Sequence, residues 1–350
     1  MELSQSSVNT NSFKIIGVLR VSTIPYLCYG VIKYDLKIHP KIIGSGGSAS
    51  VRVACCNNTL AEYVVKIFNE SLEEEEVINE IKIMKIASHH PNIIRFYGVT
   101  KLQGKPNYSL VLEHANGGTL GNYLRTNAET FKWESQLQFA KEIAGAVSCL
   151  HRNKIIHGDI NPNNILIHQQ MIKLADFGCS LLQGDKVSTG RRGTIPYVDP
   201  KFFYGFCDLT EKSDIYSLAL VFWELTSRSS PFDYEPKKND LEIMHEIFEG
   251  KREDPLPDTN SKFVALYQKC WKCEPDERPD ICEVISVFNS IDPIKSENNK
   301  SQTNFDPKEN EKGAMTEELE DQDMSNYDIN SIKYGVRSRF LYNLLTINNE

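Results

Sequence analysis

The chain has 350 residues, 40% of them hydrophobic, and carries 39 Lys and Arg against 47 Asp and Glu, a net charge of −8. That is enough apolar material for two lobes or domains plus tails, and ordinary Gly and Pro contents exclude collagen-like and low-complexity classes. The acidic balance argues against a dedicated nucleic-acid binder, and nine scattered cysteines argue for a reducing compartment rather than a disulfide framework.

The N-terminus is polar, with no basic region ahead of an apolar core, so no signal peptide is expected. Its most apolar part, 13–32, contains Lys14 and Arg20. A charge at the centre of a span costs about 2.5–3.5 kcal/mol, so we expect no transmembrane segment and a cytoplasmic protein. β-Branched and aromatic residues over 14–43 suggest short strands or an extended arm. The pattern over 34–112 is strand-rich, with strands at 51–54, 63–68 and 109–112. One helix interrupts it over 73–87, where apolar residues at 77, 78, 81, 84 and 86 approximate a 3.6 period. The acidic run 73–76 lies at its N-terminal end, where negative charge suits the helix dipole.

After Asn116-Gly117-Gly118 the character changes. Helices are expected over 133–153, 213–227, 241–250, 261–272 and 281–291. Strand-rich first and helix-rich second, with a Gly-Gly joint, is a two-lobed α+β layout with a cleft between the lobes. The stretch 296–327 is polar, charged and poor in large apolar residues, which predicts disorder. Over 332–347 apolar residues return among Lys333, Arg337 and Arg339, as either an amphipathic helix or a frayed tail.

Three constellations carry chemistry. Gly44-Ser45-Gly46-Gly47-Ser48-Ala49-Ser50-Val51 sits between two strand patterns, and residues without Cβ let backbone N–H groups approach phosphate oxygens. Lys66 follows on a strand and Glu80 on the helix, so that a carboxylate can hold the ammonium toward those phosphates. In His157-Gly158-Asp159-Ile160-Asn161-Pro162-Asn163-Asn164, Asp159 can accept a proton from a hydroxyl and Asn164 offers an amide oxygen to a hard cation. Twelve residues on, Asp176-Phe177-Gly178 supplies a second carboxylate for metal. Each piece has a bland reading as a turn or a surface residue. Their joint order and spacing do not.

Together these residues resemble a eukaryotic protein kinase over about 34–291. Phrases such as His90-Pro91-Asn92, Phe96-Tyr97-Gly98, Gly193-Thr194-Ile195-Pro196-Tyr197, Cys270-Trp271 and Arg278-Pro279 are similar to the tyrosine-kinase-like group, serine/threonine type. The resemblance implies a bilobal kinase fold with a β-rich N-lobe over 34–112, a hinge over 113–117 and a helical C-lobe over 118–292. An N-terminal extension, 1–33, would precede it and an acidic tail, 293–350, follow. ATP and Mg²⁺ are the implied cofactors. Gly44 and Gly46 would cover the phosphates, and Ile43, Val51, Val64 and Leu166 sandwich adenine. Leu112 would stand as gatekeeper, with Glu113 and Ala115 offering backbone groups to the adenine edge. Asn164 and Asp176 would hold metal. Asp159 would be the base, with Lys66, Glu80, Asn161 and Thr194 completing the catalytic set. Met84, Phe96, His157 and Phe177 would stack between the lobes, and Asp214 would anchor the catalytic loop.

Four departures stand out. Ala49 replaces the third glycine of the loop. Gly158 replaces the arginine that pairs with a phosphorylated activation segment, so switching by phosphate on Ser188 or Thr189 should be weak. Asn161 replaces a lysine that steadies the transferring phosphate, and losing such a donor can cost on the order of 10²–10³ in rate. Asp199-Pro200-Lys201 stands in place of Ala-Pro-Glu, which would set Lys201 against a buried Arg278 unless Lys201 swings out to solvent or an acidic neighbour such as Glu274 or Asp276 takes over the place opposite the arginine. On that basis Lys201→Glu should raise thermal stability. Cys270 and Cys273 read as helix packing rather than a metal pair. The expected activity is ATP-dependent phosphorylation of Ser/Thr on protein substrates, with regulatory proteins as further partners. The alternative is a pseudokinase scaffold, and Thr194 speaks against a small-molecule kinase.

Overall fold

The computed structural model describes residues 12–14, 35–56, 61–102, 105, 107–185, 193–203, 208–234 and 240–293. Its first half is a six-stranded sheet. The strands are β1 (Ser12–Lys14), β2 (Asp35–Ser45), β3 (Ala49–Cys56), β4 (Glu62–Phe68), β5 (Phe96–Lys101) and β6 (Tyr108–Glu113). They are ordered β1-β2-β3-β4-β6-β5, and every pairing is antiparallel. One helix, α1 (Glu74–Ala87), crosses between β4 and β5.

Register explains what the sheet presents. Val51 pairs with Lys66 and Lys66 with Leu110, while Val64 pairs with Leu112. Side chains alternate with period 2 and cross-strand partners share a face, so Val51, Val64, Lys66, Leu110 and Leu112 point the same way. Helix α1 covers part of that face: Val77 and Ile81 pack with Ala49, Phe68 and Leu110. Each such buried aliphatic contributes about 1.5–3 kcal/mol. Glu74, Glu75 and Glu76 occupy the first turn of α1 and Lys85 the last, the arrangement its dipole favours. On the opposite face Leu36, Ile38, Ala54, Val65, Leu102 and Val111 form a separate cluster.

The second half is helical. It holds α2 (Leu120–Thr126), α3 (Trp133–Arg152), α4 (Pro200–Phe203), α5 (Glu211–Ser227), α6 (Asp240–Phe248), α7 (Ser261–Cys270) and α8 (Ile281–Asn289). Four short strands, β7 (Ile155–Ile156), β8 (Ile165–His168), β9 (Met171–Leu174) and β10 (Leu181–Leu182), form the ribbons β8–β9 and β7–β10. Isolated bridges from Ile93 to Leu174 and from Thr119 to Leu166 stitch the flanking loops to the β8–β9 ribbon.

Helix α3 buries Leu137, Ala140, Ile143, Ala144, Val147 and Leu150, the face its periodicity predicts. Helix α5 differs, because every residue over 213–226 is buried. It is surrounded on all sides, which is why it reads as nearly continuous apolar sequence. It begins at Glu211, two residues before the sequence suggests, because Thr210 caps it. The Thr210 hydroxyl accepts from Lys212 N at 3.2 Å and Ser213 Oγ accepts from Thr210 N at 3.2 Å. Helix α2 was not expected from the sequence, since seven residues are too few to display a period. The expected tail, 293–350, lies outside the described residues apart from Pro293, as does most of 1–33.

The structure corrects the expectation for Arg278. Its partner is Asp199, not a group at position 201: Nη1 lies 2.6 Å from Oδ2 and Nη2 3.0 Å from Oδ1. Both side chains are fully buried. The remaining guanidinium donors go to the carbonyls of Lys272, Lys212 and Cys273. Lys201 instead pairs with Glu274 at 2.6 Å, in a half-exposed setting. The like-charge contact does not form, because the acidic residue sits two positions earlier and reaches the same guanidinium. The cysteine pair also divides: Cys270 is buried, and Cys273 is exposed.

Candidate active site

Lys66 projects from β4 toward α1. Its Nζ lies 2.7 Å from Glu80 Oε1 and 2.7 Å from Asp176 Oδ1. Burial alone would lower the lysine pKa, but the two carboxylates outweigh it and hold the ammonium well above its ordinary range. Asp176 feels the converse pull. Burial would raise its carboxyl, yet Lys66 and the Gly178 N–H, 3.2 Å away, keep it below the usual value. Asp176 adopts φ +60, a left-handed conformation that Asp tolerates better than most residues.

Asp159 lies in the loop between β7 and β8. Oδ1 accepts from Thr194 N at 2.9 Å and from Asn161 Nδ2 at 2.8 Å, and Oδ2 accepts from Asn164 Nδ2 at 2.8 Å. Burial pushes its carboxyl up to about 6 against the pull of these donors, with the nearby Asp176 charge adding to the rise. Asn161 also donates to Thr194 Oγ1 at 3.3 Å, and its side-chain Oδ1 accepts from Asn163 N at 2.9 Å. Its amide is therefore spent on the loop and on Thr194. Asn164 donates to Asp159 O as well, at 2.9 Å, so its N–H groups are committed and its amide oxygen is the atom left to meet a cation. That oxygen and the half-exposed, ionised Asp176 carboxylate are hard ligands suited to Mg²⁺.

The loop is held from below by Asp214 at the start of α5. Its carboxylate accepts from His157 N and Gly158 N, each at 2.9 Å, and meets His151 Nε2 at 2.9 Å. Gly158 adopts φ +79, and a Cβ there would come within 2.8 Å of both the Cys179 carbonyl oxygen and Leu209 Cδ2. Glycine at this position is thus a steric requirement of this backbone. The His157 ring packs 5.0 Å from that of Phe177, while Met84, Phe96 and Phe177 meet in the main core.

The remaining expected residues fall as follows. Gly44 pairs with Val51 across the β2–β3 hairpin, and the turn closes from Gly46 N to Ala49 O at 3.0 Å. A Cβ on Gly46 would meet nothing within 4 Å, so the space beside this turn is open. Val64 is buried and Ile43 is exposed, while Val51, Leu112, Ala115 and Leu166 are half-buried. Strand β6 runs through Glu113, one residue into the expected hinge. Glu113 makes an ion pair that the sequence did not suggest, with Lys173 of β9 at 3.0 Å. Asn79 and Ser180 were missed as well: Asn79 Nδ2 donates to Ser180 O at 2.9 Å.

A model of the protein kinase domain matches residues 38–287, well over half of the sequence. The chain belongs to the protein kinase family. Among curated relatives, a LEAF RUST 10 disease-resistance locus receptor-like protein kinase-like 1.4 from Arabidopsis thaliana is 32% identical over 273 residues, 71% of this chain and 41% of the relative. Mitogen-activated protein kinase kinase kinase 7 from Drosophila melanogaster is 30% identical over 255 residues, 71% of this chain and 36% of the relative. Serine/threonine-protein kinase STY17 from Arabidopsis thaliana is 28% identical over 261 residues, 73% of this chain and 45% of the relative. The aligned regions thus span less than half of each of these relatives. Among the described residues no helix is long and apolar enough to cross a membrane.

Proposed function

We propose that this protein kinase transfers the γ-phosphate of ATP to Ser or Thr hydroxyls of protein substrates, and that it is of the tyrosine-kinase-like group. The observation that carries this reading is the Asp159 carboxylate, which is half-buried, ringed by Asn161, Asn164 and Thr194, and shifted to about 6. Such a group is ionised at neutral pH yet basic enough to take a hydroxyl proton. Thr194 beside it supports an aliphatic hydroxyl as acceptor, in keeping with the serine/threonine-protein kinase among the relatives. Lys66, held between two carboxylates, would orient the α- and β-phosphates. The Gly44–Ser45–Gly46 turn would present backbone N–H groups to them, and Ile43, Val51, Val64, Leu112 and Leu166 would enclose the adenine, with Glu113 and Ala115 at its edge. Mg²⁺, held by Asp176 and Asn164, would neutralise phosphate charge.

The catalytic unit would occupy 34–292, with an extension before it and an acidic tail after it. Free cysteines, among them Cys149 and Cys270, suit a reducing cytoplasm. Gly158 cannot reach a phosphate, so activity should not depend on a phosphorylated Ser188 or Thr189. The test is transfer of labelled phosphate to a generic protein acceptor with Mg·ATP, comparing wild type with Asp159→Asn. Transfer by wild type and its loss in the variant support the reading. Equal transfer by both, or transfer by neither, refutes it.

A further inference from the structure

Two neighbouring residues of α1 reach different parts of the site. Glu80 goes to Lys66. Asn79 donates to the carbonyl of Ser180, 101 residues away in sequence, at 2.9 Å. Ser180 is fully buried, and a buried backbone carbonyl requires a donor. Its hydroxyl continues the connection, donating to His157 O at 2.8 Å, and its N–H bonds Phe177 O at 3.1 Å. The next residue, Leu181, pairs with Ile156 in the β7–β10 ribbon. The Cys179 carbonyl lies in the space that a side chain on Gly158 would fill. The segment just after Asp176-Phe177-Gly178 is therefore clamped between α1 and the loop bearing Asp159.

We infer that Asn79 is a positioning residue for phosphoryl transfer: through Ser180 it fastens α1 to the catalytic loop, and so keeps Glu80 on Lys66. The assignment rests on the kinase reading above. The mechanical argument is adjacency. A shift of α1 that lifts Glu80 from Lys66 also pulls Asn79 from Ser180, so both contacts resist the same motion. Every partner in this relay is uncharged. The clamp needs no phosphate on the segment it holds, which matches the glycine at 158.

The test is a double-mutant cycle on the full chain, reading kcat/KM for ATP with a generic protein acceptor. Asn79→Ala should lower kcat/KM roughly three- to tenfold, the equivalent of one net hydrogen bond. Asn79→Asp, which keeps the shape but opposes a carboxylate to the Ser180 carbonyl, should lower it further. In a Glu80→Gln background, Asn79→Ala should cost little more, because the residue acts through that glutamate. A merely structural asparagine would lose activity to the same factor in both backgrounds. Full additivity, or wild-type kcat/KM in Asn79→Asp, overturns the assignment while leaving the kinase reading intact. A wild-type chain that transfers no phosphate overturns both.

Discussion

At the scale of single residues, Asp159 sets the expected pH dependence. A general base must be ionised, so the rate should fall about tenfold per pH unit as pH drops below about 6, and level off above it. Donors to the ionised form lower a carboxyl pKa, and Asn161 Nδ2 is one of them. Asn161→Ala should therefore move the acidic limb of the pH–rate profile to higher pH, and lower kcat. A limb that stays in place would show that the amide does not act on Asp159. The meeting of Lys66 with Glu80 and Asp176, and of Asp159 with Asn164, was legible in the sequence because each residue type stands at the place in the chain that the kinase resemblance gives it. The partner of Arg278 was not. Residues 199 and 201 are two positions apart in sequence, and only the folded backbone decides which side chain reaches the guanidinium. Asp199→Ala should destabilise the fold by about 3–5 kcal/mol, because it strands a buried guanidinium. Lys201→Glu, which the sequence alone suggested would stabilise, instead sets Glu against Glu274. It should leave the melting temperature unchanged or slightly lower, since a partly exposed pair is worth at most about 1 kcal/mol.

At the scale of elements, α1 and α3 announced themselves through their apolar spacing. Helix α5 announced itself through sheer apolarity, although its start was set by the Thr210 cap rather than by the hydrophobic pattern. Helix α2 and the Glu113–Lys173 pair were hidden for different reasons. The helix is one and a half to two turns long, and the ion pair depends on β6 and β9 meeting, which no local pattern encodes. Gly158 belongs to this scale because it joins two elements. Its φ of +79 and the 2.8 Å approach of the Cys179 carbonyl leave no room for a side chain. Gly158→Ala should cost at least about 1–2 kcal/mol in backbone strain alone and displace the Cys179–Ser180 stretch. Thermal denaturation measures the first effect. A drop in kcat larger than the loss of folded protein explains reveals the second. An alanine variant with wild-type stability and rate would contradict the packing described.

For the whole molecule, the sheet half and the helical half meet at the Lys66–Asp176 contact, one group from each. Lys66, Glu80 and Asp176 are already in contact, so on the proposed reading nucleotide should bind a pre-formed site. Mg·ATP at a hundredfold excess over its Kd should add about 2.7 kcal/mol of stability, seen as a rise in melting temperature of several degrees. Lys66→Met should reduce that rise. The central claim, however, concerns chemistry rather than binding. Its most direct measurement is transfer of labelled phosphate from Mg·ATP to serine or threonine of a protein acceptor, by the wild-type chain and by Asp159→Asn, followed by phosphoamino-acid analysis. We predict label on serine or threonine with the wild type and none above background with the variant. Label that survives loss of the carboxylate, or no label with either chain, would contradict the account.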